Sequence, residues 1–220
     1  ESEDANLTST TITDPSNSDN DELIVTDEAT TGGLGSISGL TNVERLTLRD
    51  GTTVGQVQAP TTPGLSITAA AGANILLGDA SQSFTGSGDD DTLDVSGFSV
   101  FRSYDGGGET TADTLVVGGT HDISNATVTD FETFDFTAAG TVTVDTGVLG
   151  GFGTIDFGSA GNSHTLVFSD GETAVDISGV TVDDLGTAGT DTIDLGSASD
   201  TSNNTFKFDG DSDIATAGNV

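Results

Sequence analysis

The sequence predicts an all-β protein, wound as a β-solenoid of short stacked coils, and three observations carry that expectation. Gly (31 residues), Thr, Ser, Asp and Val abound, a mixture that favours strands and turns, and no stretch of about ten residues keeps the 3.6-residue period of an amphipathic helix. A short alternating unit recurs: DTLDVSG (91–97), DTLVVGG (113–119), GTIDFGS (153–159), HTLVFSD (164–170), DTIDLGS (191–197) and NTFKFDG (204–210). Its two apolar residues stand two apart and so share one face of a strand. Finally, Asp122–Thr133 (DISNATVTDFET) and Asp176–Thr187 (DISGVTVDDLGT) align without gaps and share seven of twelve residues. Repetition at this spacing is what a solenoid writes into its sequence. The alternative is a β-sandwich, which also gives short alternating strands between turn signals.

Taken in order, residues 1–32 form a polar arm with strand candidates at Leu7–Thr13 and Glu22–Asp27. Such an arm reads either as a linker or as a strand donated to a neighbouring subunit. From residue 33 to 220 the repetitive pattern holds, interrupted by a loop near 58–64 that carries two of the three prolines (QAPTTPGL, 58–65). Asn42-Val43-Glu44-Arg45-Leu46-Thr47-Leu48 parallels Asp130-Phe131-Glu132-Thr133-Phe134-Asp135-Phe136. Stacked coils would place Leu93, Leu115, Phe134, Ile155, Leu166, Ile193 and Phe206 in one internal ladder. Val95, Val117, Phe136, Phe157, Phe168, Leu195 and Phe208 would form a second.

Charge excludes several partners. There are 36 acidic residues against 4 basic ones, Arg45, Arg49, Arg102 and Lys207, for a net charge of −32. No basic patch exists to meet nucleic acid or an anionic membrane, and no apolar run reaches the ~18 residues of a membrane span. Without Cys there are neither disulfides nor thiolate metal sites. So large a negative charge opposes compaction unless cations screen or bind it. The acids are 28 Asp and 8 Glu, and Asp is the donor suited to tight oxygen cages around Ca²⁺.

Three segments are candidate cation loops. Gly86-Ser87-Gly88-Asp89-Asp90-Asp91 sets three carboxylates on a Gly-rich turn. Asp105-Gly106-Gly107-Gly108-Glu109 followed by Asp113 repeats the arrangement over a longer loop. Asp209-Gly210-Asp211-Ser212-Asp213 has the D-x-D-x-D spacing of an EF-hand opening, but Val220 stands where the twelfth-position Glu belongs. The candidate ligands are therefore Asp89, Asp90, Asp91, Asp105, Asp113, Asp209, Asp211 and Asp213, with Asp19-Asn20-Asp21 and Asp183-Asp184 weaker. His121 and His164 read as turn or surface residues, since no metal spacing links them.

Gly86–Leu93 resembles the glycine–aspartate nonapeptide of RTX-type secreted proteins, with Thr85 in place of the first Gly and one extra Asp. The segments NVERLTL and DFETFDF, in a Cys-free Gly/Thr/Ser/Asp-rich chain, are similar to the body of bacterial S-layer proteins and large surface adhesins. The resemblance implies a β-roll-like, Ca²⁺-dependent, secreted protein of the cell surface. The expectation is an extracellular structural protein that self-assembles into a surface layer, filament or matrix, without enzymatic activity, as a homopolymer that also meets cell-surface polysaccharide. A Ca²⁺-dependent adhesin or carbohydrate-binding module is the alternative. A polysaccharide-active enzyme weighs less, because four scattered basic residues offer little to an acidic glycan.

Overall fold

The computed structural model describes residues 11–15, 19–26, 39–50, 56–108, 113–149, 151–158, 162–169, 175–176, 180–183, 190–194 and 206–207. In chain order the strands begin with β1 (Thr11–Thr13), β2 (Glu22–Val25), β3 (Gly39–Thr41), β4 (Arg45–Leu48), β5 (Val57–Gln58), β6 (Ser66–Ala69) and β7 (Asn74–Leu76). They continue with β8 (Ser83–Thr85), β9 (Thr92–Asp94), β10 (Ser103–Asp105), β11 (Thr114–Gly118), β12 (His121–Asp122), β13 (Thr127–Thr129), β14 (Thr133–Ala138) and β15 (Gly140–Val144). After one helical turn, α1 (Thr146–Leu149), come β16 (Thr154–Asp156), β17 (His164–Phe168), β18 (Val175–Asp176), β19 (Thr181–Asp183), β20 (Thr192–Asp194) and β21 (Phe206–Lys207).

Every pairing is parallel, and each face of the molecule is one sheet whose strands follow chain order. The first face is β2-β4-β6-β8-β10-β13, the second β5-β7-β9-β11-β14-β16-β19, and the third β12-β15-β17-β20. Paired residues on the first two faces lie 17 to 27 residues apart. The chain is thus a β-solenoid of about six turns, and the sandwich alternative is set aside, since a sandwich is built from antiparallel sheets. The small pairs β1-β3 and β18-β21 complete the described strands. Both strands of the polar arm are joined to their own chain: β1 to β3 and β2 to β4. No helix of the described residues is long and apolar enough to cross a membrane.

Alternation fixes the core. On the second face Ile75, Leu93, Leu115, Phe134, Ile155 and Val182 stack in register and all are buried. On the first, Leu46, Ile67, Phe84 and Tyr104 do the same. Each such residue contributes on the order of 1.5–3 kcal/mol by leaving water. Towards the C-terminal end the filling becomes aromatic: Phe136 stacks on Phe157 at 4.9 Å, and Phe134 meets Phe152 edge-on at 5.3 Å. Beneath β13 the helical turn α1 buries Val148 and Leu149.

Two details of the expected stacking are corrected. Leu166 and Ile193 do not extend the ladder of Leu93 and Phe134; they pair with Val142 on the third face, because the chain turns onto a new face between Phe157 and His164. Likewise Phe168 pairs with Val144, and β21, carrying Phe206, pairs with β18. Leu195 and Phe208 lie outside the described residues. The twelve-residue repeat also divides: β13 belongs to the first face and the aligned β19 to the second, so similar sequence serves different corners.

The shorter repeat, by contrast, has one geometry in both places. Asn42 and Asp130 both adopt φ 55°, a left-handed conformation that Asn and Asp tolerate better than other side chains. Val43 and Phe131 follow, buried. Glu44 and Glu132 then reach back one coil, each Oε2 accepting a backbone N–H at 2.9 Å, from Asp21 and from Asp113. The carbonyl of Asp21 accepts in return from Glu44 and Arg45, and that of Asp113 from Glu132 and Thr133. This is a corner module that turns the chain into β4 in one place and into β14 in the other.

Candidate cation sites and the carboxylate rows

The glutamate reach-back is one case of a broader pattern. The residue just before a strand extends its carboxylate to the backbone N–H of the equivalent residue one coil earlier. Asp91 Oδ1 accepts from Ala73 at 2.6 Å, Asp113 Oδ1 from Asp91 at 2.6 Å, and Asp191 Oδ1 from His164 at 3.0 Å. Together with Glu132, the carboxylates of Asp91 and Asp113 form a continuous stitch through four coils. Both aspartates are fully buried. The second oxygen of Asp91 accepts from the Ser87 N–H at 2.7 Å and from Ser87 Oγ at 3.1 Å. Charge-assisted bonds of this kind are short and among the stronger ones a protein makes.

The turn around them is compressed. A Cβ on Gly86 would stand 1.9 Å from the Gly106 carbonyl oxygen, and one on Gly106 would stand 1.8 Å from that of Asp130. Glycine is needed there because successive turns stack backbone on backbone. The glycines that suggested a cation cradle are therefore also demanded by coil stacking.

The expected ligands fall into four groups. Asp91 and Asp113 lie in the wall of the solenoid, engaged with amides. Asp89 and Asp90 are exposed on the turn, and the Asp89 N–H donates to Ser87 Oγ at 3.1 Å. Asp105 is half-buried, its Oδ1 accepting from the Gly107 N–H at 3.1 Å. Asp209, Asp211 and Asp213 lie outside the described residues.

One described group does gather ligand atoms. Carboxylate oxygens of Asp14, Asp19 and Asp21, in the loop from β1 to β2, all lie within 4.8 Å of one another. The loop ends are pinned: the Asp14 N–H donates to the Thr41 carbonyl, Asn42 Nδ2 donates to the Asp14 carbonyl, and Glu44 holds the Asp21 amide. Desolvation first, then Asp14 and Asp19, pushes the Asp21 carboxyl above its ordinary value. The sequence marks Asp19 and Asp21 only as a weak pair, and Asp14 joins them through the fold of the loop.

A second acidic feature is a row. Asp135, Asp156 and Asp183 are paired in register on the outward side of the second face, and Asp94 occupies the same row beyond Val116. Burial first, then the charges of Asp156 and Asp94, raises the Asp135 carboxyl, with His164 opposing. Like charges directly across a ladder are destabilising, so the row is a place where cations would act.

His164 corrects the surface reading. It faces inward at the start of β17 with 1% of its side chain exposed, Nδ1 3.0 Å from Asp191 Oδ1, its ring 5.5 Å from Phe136. Buried in this way, the pair joins the start of β17 to the start of β20. His121 is partly exposed, and its Nε2 accepts the Gly97 N–H at 3.0 Å. Comparison with family models, with curated proteins and with solved structures finds no match, so the functional reading rests on the chain's own geometry.

Proposed function

We propose that this chain is the β-solenoid body of an extracellular, self-assembling surface protein whose order depends on Ca²⁺. The observation that carries the reading is the in-register row of Asp135, Asp156 and Asp183 within a chain of net charge −32. Carboxylates repeated at the strand spacing of about 4.8 Å repel one another across these three consecutive coils, and divalent cations relieve that repulsion at the least number of bound ions. Within the described residues, Asp14, Asp19 and Asp21 are the best-gathered ligands for such an ion. Asp89, Asp90 and Asp105 stand on turns where an ion could bridge copies, and Asp209, Asp211 and Asp213 remain candidate ligands by sequence. Parallel sheets leave backbone edges at the solenoid ends, which favours head-to-tail growth. The function in this reading is mechanical and does not call for a catalytic group.

The adhesin or carbohydrate-binding alternative has one observation in its favour. Phe101, 53% exposed, is the large hydrophobic side chain left open among the described residues, and the Arg102 guanidinium stands 5.3 Å from its ring centre. A single aromatic is a small platform for a sugar, so the structural reading is preferred.

The test is a Ca²⁺ titration of chelator-stripped protein followed by circular dichroism and negative-stain microscopy, with matched Mg²⁺ and NaCl as controls. Ca²⁺-specific gain of β-structure with ordered sheets or filaments supports the reading. Ca²⁺-dependent folding of a protein that stays monomeric transfers support to the adhesin. No response to Ca²⁺ removes the basis of both.

A further inference from the structure

The loop from β1 to β2 holds a bond of unusual chemistry. Asp14–Pro15 is the one Asp–Pro bond of the chain, since Pro60 follows Ala59 and Pro63 follows Thr62. Both backbone groups of Asp14 are held by the next coil. Its N–H donates to the Thr41 carbonyl at 3.0 Å, and its carbonyl oxygen accepts from Asn42 Nδ2 at 3.0 Å. Pro15 is exposed. The amide donor is particular to this corner. Asn42 and Asp130 occupy the same place in the repeated module, both at φ 55°, yet an ionised Asp side chain can only accept.

We propose that the chain cuts itself at the Asp14–Pro15 bond, with the Asp14 carboxylate as nucleophile and the Asn42 amide polarising the carbonyl that is attacked. The inference does not depend on Ca²⁺ or on assembly. A carboxylate oxygen of Asp14 closes a five-membered ring onto the carbonyl carbon of its own residue by rotation of the side chain, so the attack is intramolecular. The tetrahedral intermediate places negative charge on the carbonyl oxygen, where the Asn42 donor already stands at the distance an oxyanion needs. Proline narrows the outcome. It has no N–H, so its nitrogen cannot close on the Asp14 side chain to give a succinimide, and as part of a tertiary amide it is a more basic leaving group than an ordinary peptide nitrogen.

The step balances without an outside oxidant or reductant. The Oδ–C bond forms and the C–N bond to Pro15 breaks. The Pro15 nitrogen leaves with the electron pair of that bond and takes a proton from water, which its exposed position admits. Asp14 is left as a cyclic anhydride, and a water molecule opens it to an α- and a β-carboxylate. Residues 11–13 are then tied to the solenoid only by their pairing with Gly39, Leu40 and Thr41. A strand pair so short does not hold by itself, so the cut lets β1 leave and opens the backbone edge of β3.

The experiment incubates the full chain in chelator at neutral pH, which removes cations that the Asp14 carboxylate would otherwise bind. Intact-mass spectrometry follows the cut, far-UV circular dichroism the fold, and hydroxylamine traps the anhydride. Wild type is expected to give residues 1–14 and 15–220, with a hydroxamate at Asp14 when hydroxylamine is present. It should cut at least about tenfold faster than the same chain in urea, where the held geometry is lost. Asp14→Glu keeps the charge but needs a larger ring, and Pro15→Ala restores an ordinary amide; each is expected to abolish the cut. Asn42→Asp keeps a residue that position 130 accommodates at the same φ but removes the donor, and should slow the cut at least about tenfold with the β-spectrum unchanged. The urea comparison and Asp14→Glu decide the matter whether or not Asn42→Asp folds. An uncut wild type, an equal rate in urea, or a wild-type rate in Asp14→Glu overturns the proposal. A cut that leaves no hydroxamate, or that protease inhibitors suppress, assigns the bond to direct hydrolysis or to a protease and overturns it as well.

Discussion

Substituting Asp91 by Ala separates a carboxylate that holds coils together from one that holds an ion. The side chain is fully buried and accepts from the backbone N–H groups of Ala73 and Ser87, at 2.6 and 2.7 Å, one on each oxygen. Truncation strands both donors in the wall of the solenoid, at about 1–3 kcal/mol each. Loss of the buried charge offsets part of that cost, so a net fall of about 3 kcal/mol is expected. Asp91→Asn keeps one acceptor oxygen and should lose about half as much. Asp90→Ala, exposed on the same turn, should stay within about 0.5 kcal/mol of wild type. Because a solenoid can open coil by coil, the readout is hydrogen exchange at the Ala73 and Ser87 amides, alongside urea unfolding, each with Ca²⁺ and with chelator. Amide capping requires the same loss in both media. A loss seen only with Ca²⁺ would make Asp91 an ion ligand, and a loss no larger than that of Asp90→Ala would refute the argument.

Further outcomes follow from the same geometry. Glu132→Ala should free the Asp113 amide and cost about 1–3 kcal/mol, read by exchange at that amide, with rescue by Gln, which retains an acceptor; equal effects of Ala and Gln would show that the bond is not the cause. Gly106→Ala forces a methyl to within 1.8 Å of the Asp130 carbonyl oxygen and should destabilise by more than about 2 kcal/mol through backbone displacement; a neutral result would mean that the β10–β13 turn shifts freely. Asp135 keeps its proton longer in the folded chain than the ordinary carboxyl value of 3.8 allows in the unfolded one. Its contribution is therefore fully present below that value and is lost as pH rises through the raised folded pKa. Asp135→Asn should accordingly gain stability relative to wild type as pH climbs from about 3.8 towards neutrality, a gain that Ca²⁺ diminishes; a pH-independent difference would discount the row.

The solenoid is legible in the sequence because its residues obey two local constraints at once. Pairs such as Leu93/Val95 and Phe134/Phe136 show which side faces inward, and the repeated Asn42–Leu48 and Asp130–Phe136 segments mark one turn geometry used at two corners, one leading onto the first face and one onto the second. Face assignment is less legible, since coils vary from 17 to 27 residues and a strand can pass to another face without changing its own pattern. Leu166 illustrates this: nothing in His-Thr-Leu-Val-Phe distinguishes the third face from the second. The buried aspartates carry a signal that lends itself to two readings. An acid stands immediately before the strand in Glu44-Arg45, Asp91-Thr92, Asp113-Thr114, Glu132-Thr133 and Asp191-Thr192, and in every case it reaches back to an amide. Beside glycines, that acid resembles a cation ligand. The Asp14–Asp19–Asp21 group was the harder part, because its proximity depends on β1 and β2 joining successive coils, and pairing between coils is not a local property.

The same acidic residue type is thus put to two opposed electrostatic uses. Before a strand, a carboxylate inside the wall finds backbone amides, and each coil contributes the acceptor that an amide of its predecessor needs, so added coils bring their own compensation. On the outward side of the second face, Asp94 and Asp156 accept amide N–H groups of their own following turns, from Ser96 and Gly158, and Asp94 also accepts from Gln56 Nε2. These bonds do not tie a carboxylate to the backbone of the adjacent coil, so each further carboxylate in the row deepens the repulsion. Stability in low salt would therefore be limited by the outward row, while the inner stitch is indifferent to ionic strength. In the function proposed above, cations would act on the outward row, while the inner carboxylates are already engaged by backbone amides. Raising NaCl should consequently stabilise wild type more than Asp135→Asn, yet leave the cost of Asp91→Ala unchanged. If salt instead erased the cost of Asp91→Ala, the buried carboxylates would be acting through long-range charge, and the division between the two uses would fail.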